Sequence, residues 1–316
     1  MKPTILLTLA LLVAPATAFA QNQNPGPTHG GSGIIATGAE LTLISDDYSF
    51  TEGPAADRRG NVFFTDQPND RIVRWDARDG TLSTFLSPSG RANGLYFDSK
   101  GNLLAAADEE NAMWSIAPDG SHTLLARRFD EGGVNGPGEF NGPNDLWVHP
   151  RTGAIYFTDP LYARDWWTHR GRESQLDGQH VYRLDPATSR VTRLTGDLRQ
   201  PNGIIGTPDG KTLYVADMGG RTTWAYDIAP DGLLTGKRVF TGMASDGMTI
   251  DERGNIYLTG RGGVTVFDPS GQQIEQIDVP KGWTANVTFG GRDRRTLFIT
   301  ASDAVYTLRM SVRGVK

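Results

Sequence analysis

Cysteine is absent from the 316-residue chain. That excludes disulfides, Cys-ligated zinc, iron–sulfur clusters and a thiol nucleophile. Histidine is scarce. The five present (His29, His122, His149, His169, His180) show no H-E-x-x-H or other metal spacing. No G-x-S-x-G elbow, P-loop or Rossmann glycine fingerprint occurs, which argues against a serine esterase, a P-loop NTPase or a dinucleotide-binding enzyme. Neither sign of charge dominates. Thirty-one Lys+Arg against 36 Asp+Glu give −5, so a basic nucleic-acid face is not expected. At 21% charged residues the chain is also too poor in charge for a coiled coil. After the first twenty residues no apolar run approaches the roughly 18 that a membrane span needs.

The chain opens with features of a leader. Lys2 precedes the apolar run Ile5–Ala14, and Ala18-Phe19-Ala20 fits a small-x-small cleavage site. Residues 1–20 are therefore expected to be a Sec-type signal peptide and 21–38 a flexible lead-in. Residues 39–316 are expected to form a single domain in a bacterial periplasmic or secreted protein.

Glycine (39) and proline (18) are frequent, which calls for many turns. Their placement is periodic. EGPAADRRGNVFFTD from Glu52, NGLYFDSKGNLLAAAD from Asn93 and NDLWVHPRTGAIYFTD from Asn144 share one pattern. NGIIGTPDGKTLYVAD from Asn202, DGMTIDERGNIYLTG from Asp246 and NVTFGGRDRRTLFITAS from Asn286 repeat it. Successive copies are 41, 51, 58, 44 and 40 residues apart. Each reads as two strands around a tight turn, since β-branched and aromatic runs flank Asp, Pro and Gly. A second strand–turn–strand pattern lies between copies, as in RIVRWDARDGTLSTF from Arg71. Four strands per unit is the size of a propeller blade. The sixth unit stops after its third strand, AVYTLRM, while Glu40–Ile44 is a strand without a blade. The expected architecture is all-β: a six-bladed β-propeller with four antiparallel strands per blade, its ring closed by the N-terminal strand. The lone Trp75-Asp76 dipeptide does not recur and carries no WD40 signal.

The innermost strand of a blade lines the central channel, so Glu52, Asn93, Asn144, Asn202, Asp246 and Asn286 should converge at one mouth. Each alone is an ordinary turn former. Together they are a ring of oxygen ligands, suited to calcium, magnesium or manganese rather than zinc or copper. The two longest connections, Arg127–Pro143 and Pro160–Gln179, should rise on the same face, with Tyr162, Trp166, Trp167 and His169 available either to wall a pocket or to pack the loop down.

The stretches TEGPAADRRGNVFFTD, FNGPNDLWVHPRTGAIYFTDP, QPNGIIGTPDGKTLYVAD, SDGMTIDERGNIYLTG and NVTFGGRDRRTLFITA resemble the gluconolactonase / senescence marker protein (regucalcin-like) family. The resemblance runs from about residue 51 to 302. It implies one divalent cation, calcium first, with magnesium, manganese or zinc as alternatives. It implies Glu52, Asn144, Asn202 and Asp246 as metal ligands, Asp246 as catalytic base, and Asn144 and Asn93 as substrate contacts. The implied activity is hydrolysis of a gluconolactone-like sugar lactone to the aldonic acid by a monomer. The same Glu-Asn-Asn-Asp set also resembles diisopropyl-fluorophosphatase, which leaves phosphotriester hydrolysis as an alternative. A non-catalytic ligand-binding propeller is a third.

Overall fold

The structure, a computed structural model, describes residues 31–133 and 136–315. The expected signal peptide and residues 21–30 of the expected lead-in lie outside them. Six four-stranded antiparallel sheets follow one another along the chain as the blades of a propeller. Their innermost strands are Thr51–Ala56, Ala92–Phe97, Leu146–Val148, Pro201–Gly206, Met248–Ile250 and Asn286–Gly290. Each contacts the innermost strand of the next blade, and the last contacts the first. No helix is long and apolar enough to cross a membrane among the described residues.

The sixth blade is completed as its missing strand requires. Thr42–Ser45 pairs antiparallel with Ala304–Arg309, with Thr42 opposite Thr307 and Leu43 opposite Tyr306. The strand sits slightly C-terminal to the expected Glu40–Ile44, because Leu41 turns onto the hydrophobic core instead of pairing. The lead-in boundary at residue 38 also moves. Ile34 is fully buried, Ile35 bridges Met310, and Ser32 donates to Glu275 at 2.8 Å. Segment 31–38 thus covers apolar surface of the last blades, and the burial of Ile34 and Ile35 there offsets the entropy lost in ordering the segment.

One turn recurs at the tip of three blades. Asp57 Oδ1 accepts from the backbone of Arg59 and Asn61 at 2.8 and 3.0 Å, and Asn61 Nδ2 donates back to Asp57 Oδ2 at 2.8 Å. Asp98–Asn102 and Asp251–Asn255 repeat it. Gly60 takes φ +87° within the turn, a conformation costly for residues with a Cβ. Between blades the core is aromatic and aliphatic. Phe298 of blade six, for example, packs against Phe64 and Trp75 of blade one at 5.5 and 5.6 Å between ring centroids.

A second recurrent device positions the channel mouth. An Asp ends or directly follows the second strand of four blades, at Asp66, Asp108, Asp159 and Asp217. Asp66 Oδ1 accepts from Ser49 N at 3.0 Å, just ahead of Glu52. Asp159 accepts from Asn141 N and Gly142 N at 2.9 and 3.0 Å, ahead of Asn144. Asp217 Oδ1 accepts from Gln200 N at 2.8 Å, ahead of Asn202. Asp66, Asp159 and Asp217 each pin the segment that delivers a mouth residue, satisfying backbone donors that the buried loop would otherwise leave unpaired, whereas Asp108 accepts from the side chains of Gln67 and Trp167.

Candidate functional site at the channel mouth

The strand starts place Glu52, Asn93, Asn144, Asn202 and Asn286 in buried positions, with Asp246 half-buried beside them. Neighbouring blades interlock here through small residues. A Cβ on Gly94, which follows Asn93, would lie 2.5 Å from Asn144 O and 2.8 Å from Asp145 Cα. Gly94 N donates to Asn144 O at 2.7 Å. Glycine is required because two backbones meet where a side chain would stand.

Asp246 is the best-anchored group. Asn202 Nδ2 donates to its Oδ1 at 2.7 Å, and Trp283 Nε1 donates to its Oδ2. Asn202 Nδ2 also reaches Tyr162 Oη at 3.0 Å, which leaves Asn202 Oδ1 buried with no hydrogen-bond partner. Glu52 Oε2 accepts from Gly53 N at 2.8 Å and from Asn286 Nδ2 at 3.3 Å. Asn286 Nδ2 is shared with Asp145 Oδ2 at 3.4 Å, and Asp145 Oδ1 accepts from Leu146 N at 2.9 Å. The side chains of Asn93 and Asn144 bond to none of these groups.

Three carboxylates therefore crowd one desolvated mouth. Burial, and then the charge of Asp246, push Glu52 well above the usual carboxylate range. Burial pushes Asp145 up to about 7. Burial also raises Asp246, opposed by the Trp283 hydrogen bond, the Arg164 charge and the Asn202 hydrogen bond. Such a set is short of positive charge. A divalent cation would supply it, and Asn202 Oδ1 is a buried acceptor with nothing to accept from. The donor set of two carboxylates and two amides is hard oxygen, as calcium or magnesium prefers. No three His, Cys, Asp or Glu side chains among the described residues form a metal cluster by themselves, so the amides are needed.

The long connections divide their labour. Tyr162 reaches the mouth through Asn202. Trp167 does not: its Nε1 donates to Asp108 Oδ2 at 3.1 Å, and Arg170 lies over its ring at 3.9 Å, packing the loop down onto blade two. His169 faces outward, 3.0 Å from Glu110 Oε1. With Glu109, Glu110, Arg127, Glu139 and Arg170 it lines a cavity of about 270 Å³ that includes none of the channel-mouth residues. Of the two roles open to these residues, Trp167 packs the loop down and His169 lines a cavity away from the mouth, because the Asp108-Glu109-Glu110 run of blade two captures that part of the loop.

The profile described as the SMP-30/Gluconolactonase/LRE-like region matches residues 50–303, nearly the whole propeller. The chain belongs to this family. Its similarity to the gluconolactonase of Zymomonas mobilis is 28% identity over 99% of this chain and 96% of that protein. The pentonolactonase of Haloferax volcanii is 27% identical over 76% of this chain and 77% of that protein. Among solved structures, a gluconolactonase from Xanthomonas campestris superposes with a TM-score of 0.80 at 30% identity, covering 88% of this chain and 91% of that one. A calcium-binding regucalcin from Agrobacterium tumefaciens, at 22% identity and a TM-score of 0.71 over 88% of this chain and 96% of that one, shares the fold. This member of the family is a lactone-hydrolysing enzyme, a carboxylic ester hydrolase. The non-catalytic alternative is thereby set aside.

Four groups at the mouth of this lactonase are missing from the residue set that the motifs supply. Trp283 and Arg164 come from outside the repeat, Asp145 takes the second position of its repeat, and Asn286, one of the six ring positions, is not in the ligand or substrate-contact set that the family resemblance implies. A signal for Asp145 exists. Glu52, Asn93, Asn202 and Asp246 are each followed by Gly, whereas Asn144 is followed by Asp. The break in the pattern puts an extra carboxylate into the ring.

Proposed function

We propose that this channel mouth is the hydrolytic site and that it is metal-dependent, with Glu52, Asn144, Asn202 and Asp246 holding one divalent cation, calcium first. The observation that carries the reading is the crowding of Glu52, Asp145 and Asp246 beside the orphaned Asn202 Oδ1. When bound, the cation supplies Lewis-acid polarisation of the ester carbonyl and stabilises negative charge developing on its oxygen. The substrate is a sugar lactone of the aldonolactone type, in keeping with relatives named gluconolactonase, pentonolactonase and 6-deoxy-6-sulfogluconolactonase.

Asp246 is the base that takes a proton from the attacking water. Trp283 and Asn202 hold the two oxygens in place, so little reorganisation is needed when the proton arrives. Asn93 and Asn144 offer amide donors and acceptors to the hydroxyls of the sugar. Tyr162 closes the side of the mouth nearest Asn202 and limits water there. The product leaves as the aldonate. The N-terminal leader directs the enzyme to the periplasm or outside the cell, where it acts as a monomer.

The test is acid release from D-glucono-1,5-lactone by cation-loaded protein, with and without chelator. Activity lost to chelator and regained with calcium, manganese or magnesium supports the reading. Full activity in chelator would remove the cation from the mechanism.

A further inference from the structure

Arg164 lies in the Pro160–Gln179 connection with its side chain only 19% exposed. Its guanidinium sits over the Tyr162 ring at 4.7 Å and the Trp166 ring at 5.4 Å. Tyr162 in turn accepts from Asn202, which donates to Asp246, so the stack holds the cation beside the Asn202–Asp246 pair. The Arg164 charge is accordingly felt at Asp246.

Its hydrogen-bonding capacity is nevertheless unspent. Arg164 Nε is buried without an acceptor. The closest approach to a carboxylate oxygen, Nε to Asp108 Oδ2, is 3.9 Å, beyond hydrogen-bond reach. Arg170, six residues on, shows what a structural arginine does here. It donates to Asp108 O at 2.7 Å and to Asn141 O, and it staples the loop to the propeller. Arg164 is instead fixed by two aromatic faces, which hold a guanidinium without consuming its N–H groups. Leaving the desolvated Nε donor unmet is costly, and no side-chain hydrogen bond holds the rest of the guanidinium.

We propose that Arg164 is a specificity-determining residue, which receives a carboxylate or sulfonate substituent on the lactone and thereby orients the ring toward Asp246. This rests on the reading of the mouth as the lactonase site. An anionic substituent is favoured over a hydroxyl because the planar fork of N–H donors matches a carboxylate or sulfonate with two parallel, charge-assisted bonds. Arg164 gives the charged end of such a substrate a place to bind apart from Glu52, Asp145 and Asp246. The bond broken remains the lactone ester, with water as the nucleophile.

The experiment compares kcat/KM for D-glucaro-1,4-lactone, which carries a free carboxylate, with that for unsubstituted δ-valerolactone. Wild type, Arg164→Gln and Arg164→Lys are assayed. In Arg164→Gln the preference for the carboxylate-bearing lactone should fall about 10- to 150-fold, the range of a hydrogen bond to a charged group, and mainly through KM. Arg164→Lys should regain part of it, keeping the charge but not the fork. Arg164→Met, which keeps the contacts with both rings, replaces the Gln variant if that protein melts early. An unchanged preference, or an equal loss on both lactones, overturns the proposal by showing that Arg164 acts through loop packing or through Asp246. If wild-type protein hydrolyses no lactone at all, the assignment of the site itself falls, and the role of Arg164 with it.

Discussion

Replacing Gly94 by alanine tests whether the mouth is built by direct contact of neighbouring blades. The new Cβ would lie 2.5 Å from Asn144 O and 2.8 Å from Asp145 Cα, both too near for any real contact. Relief to about 3.4 Å requires blade two to retreat from blade three by nearly an ångström, because the clashing atoms are backbone and cannot swing aside. That movement breaks the 2.7 Å bond from Gly94 N to Asn144 O, worth about 0.5–1.5 kcal/mol. Overpacking adds about 1–3 kcal/mol. The expected loss is about 2–4 kcal/mol, read as a fall in Tm of roughly 5–12 °C. Asn144 and Asp145 move with the strain, so kcat/KM for the lactone should fall about tenfold or more even at temperatures where the variant is fully folded. Gly196→Ala is the control. Gly196 is exposed, has no atom within 4 Å of the built Cβ, and shows no positive φ. It should be neutral or slightly stabilising. A Gly94→Ala protein with the melting curve and activity of the control would refute the interlocked ring.

Asp246→Asn keeps the size of the side chain but removes its charge and its capacity to take a proton. At saturating cation it should lower kcat by about 10²–10⁴, and a rate restored simply by raising the cation concentration would reduce Asp246 to a ligand. Folding of the cation-free protein should take up protons between about pH 5 and 7. Burial raises Asp108 to about 6 and Asp145 and Asp159 to about 7 from a usual value near 4. When folded, Asp145 and Asp159 keep their protons up to about pH 7 and Asp108 up to about pH 6, whereas all three are ionised in the unfolded chain over the window. The stability they allow is therefore full below pH 4 and is lost as the pH rises through 7. Calorimetry of unfolding in buffers of different ionisation heat measures the proton count, and net proton release on folding in that window would contradict the assignment.

The periodic part of this enzyme is legible in its sequence. Strand alternation, the Asp-x-x-Gly-Asn turns and the recurrence of one hairpin are local signals, and six copies with one leftover strand leave little choice but a closed ring. Thr42–Ser45 pairing with Ala304–Arg309 follows from that count. The oxygen-bearing residue opening each blade is legible for the same reason, since a repeat position maps to a ring position once the ring exists. What the tertiary structure decided lies outside the repeat. Trp283 meets Asp246 across 37 residues of sequence, and Asn286 reaches Glu52 across 234. The Pro160–Gln179 loop could have presented any of its aromatic or basic residues to the mouth. It presents Tyr162 and Arg164, because Asp108 and Glu109 of blade two hold Trp167, Thr168 and Arg170. Local propensity cannot specify such choices. They depend on which buried donors and acceptors happen to face one another when the last blade closes on the first, and burial then fixes the pairing because an unpaired polar group there has no water to turn to.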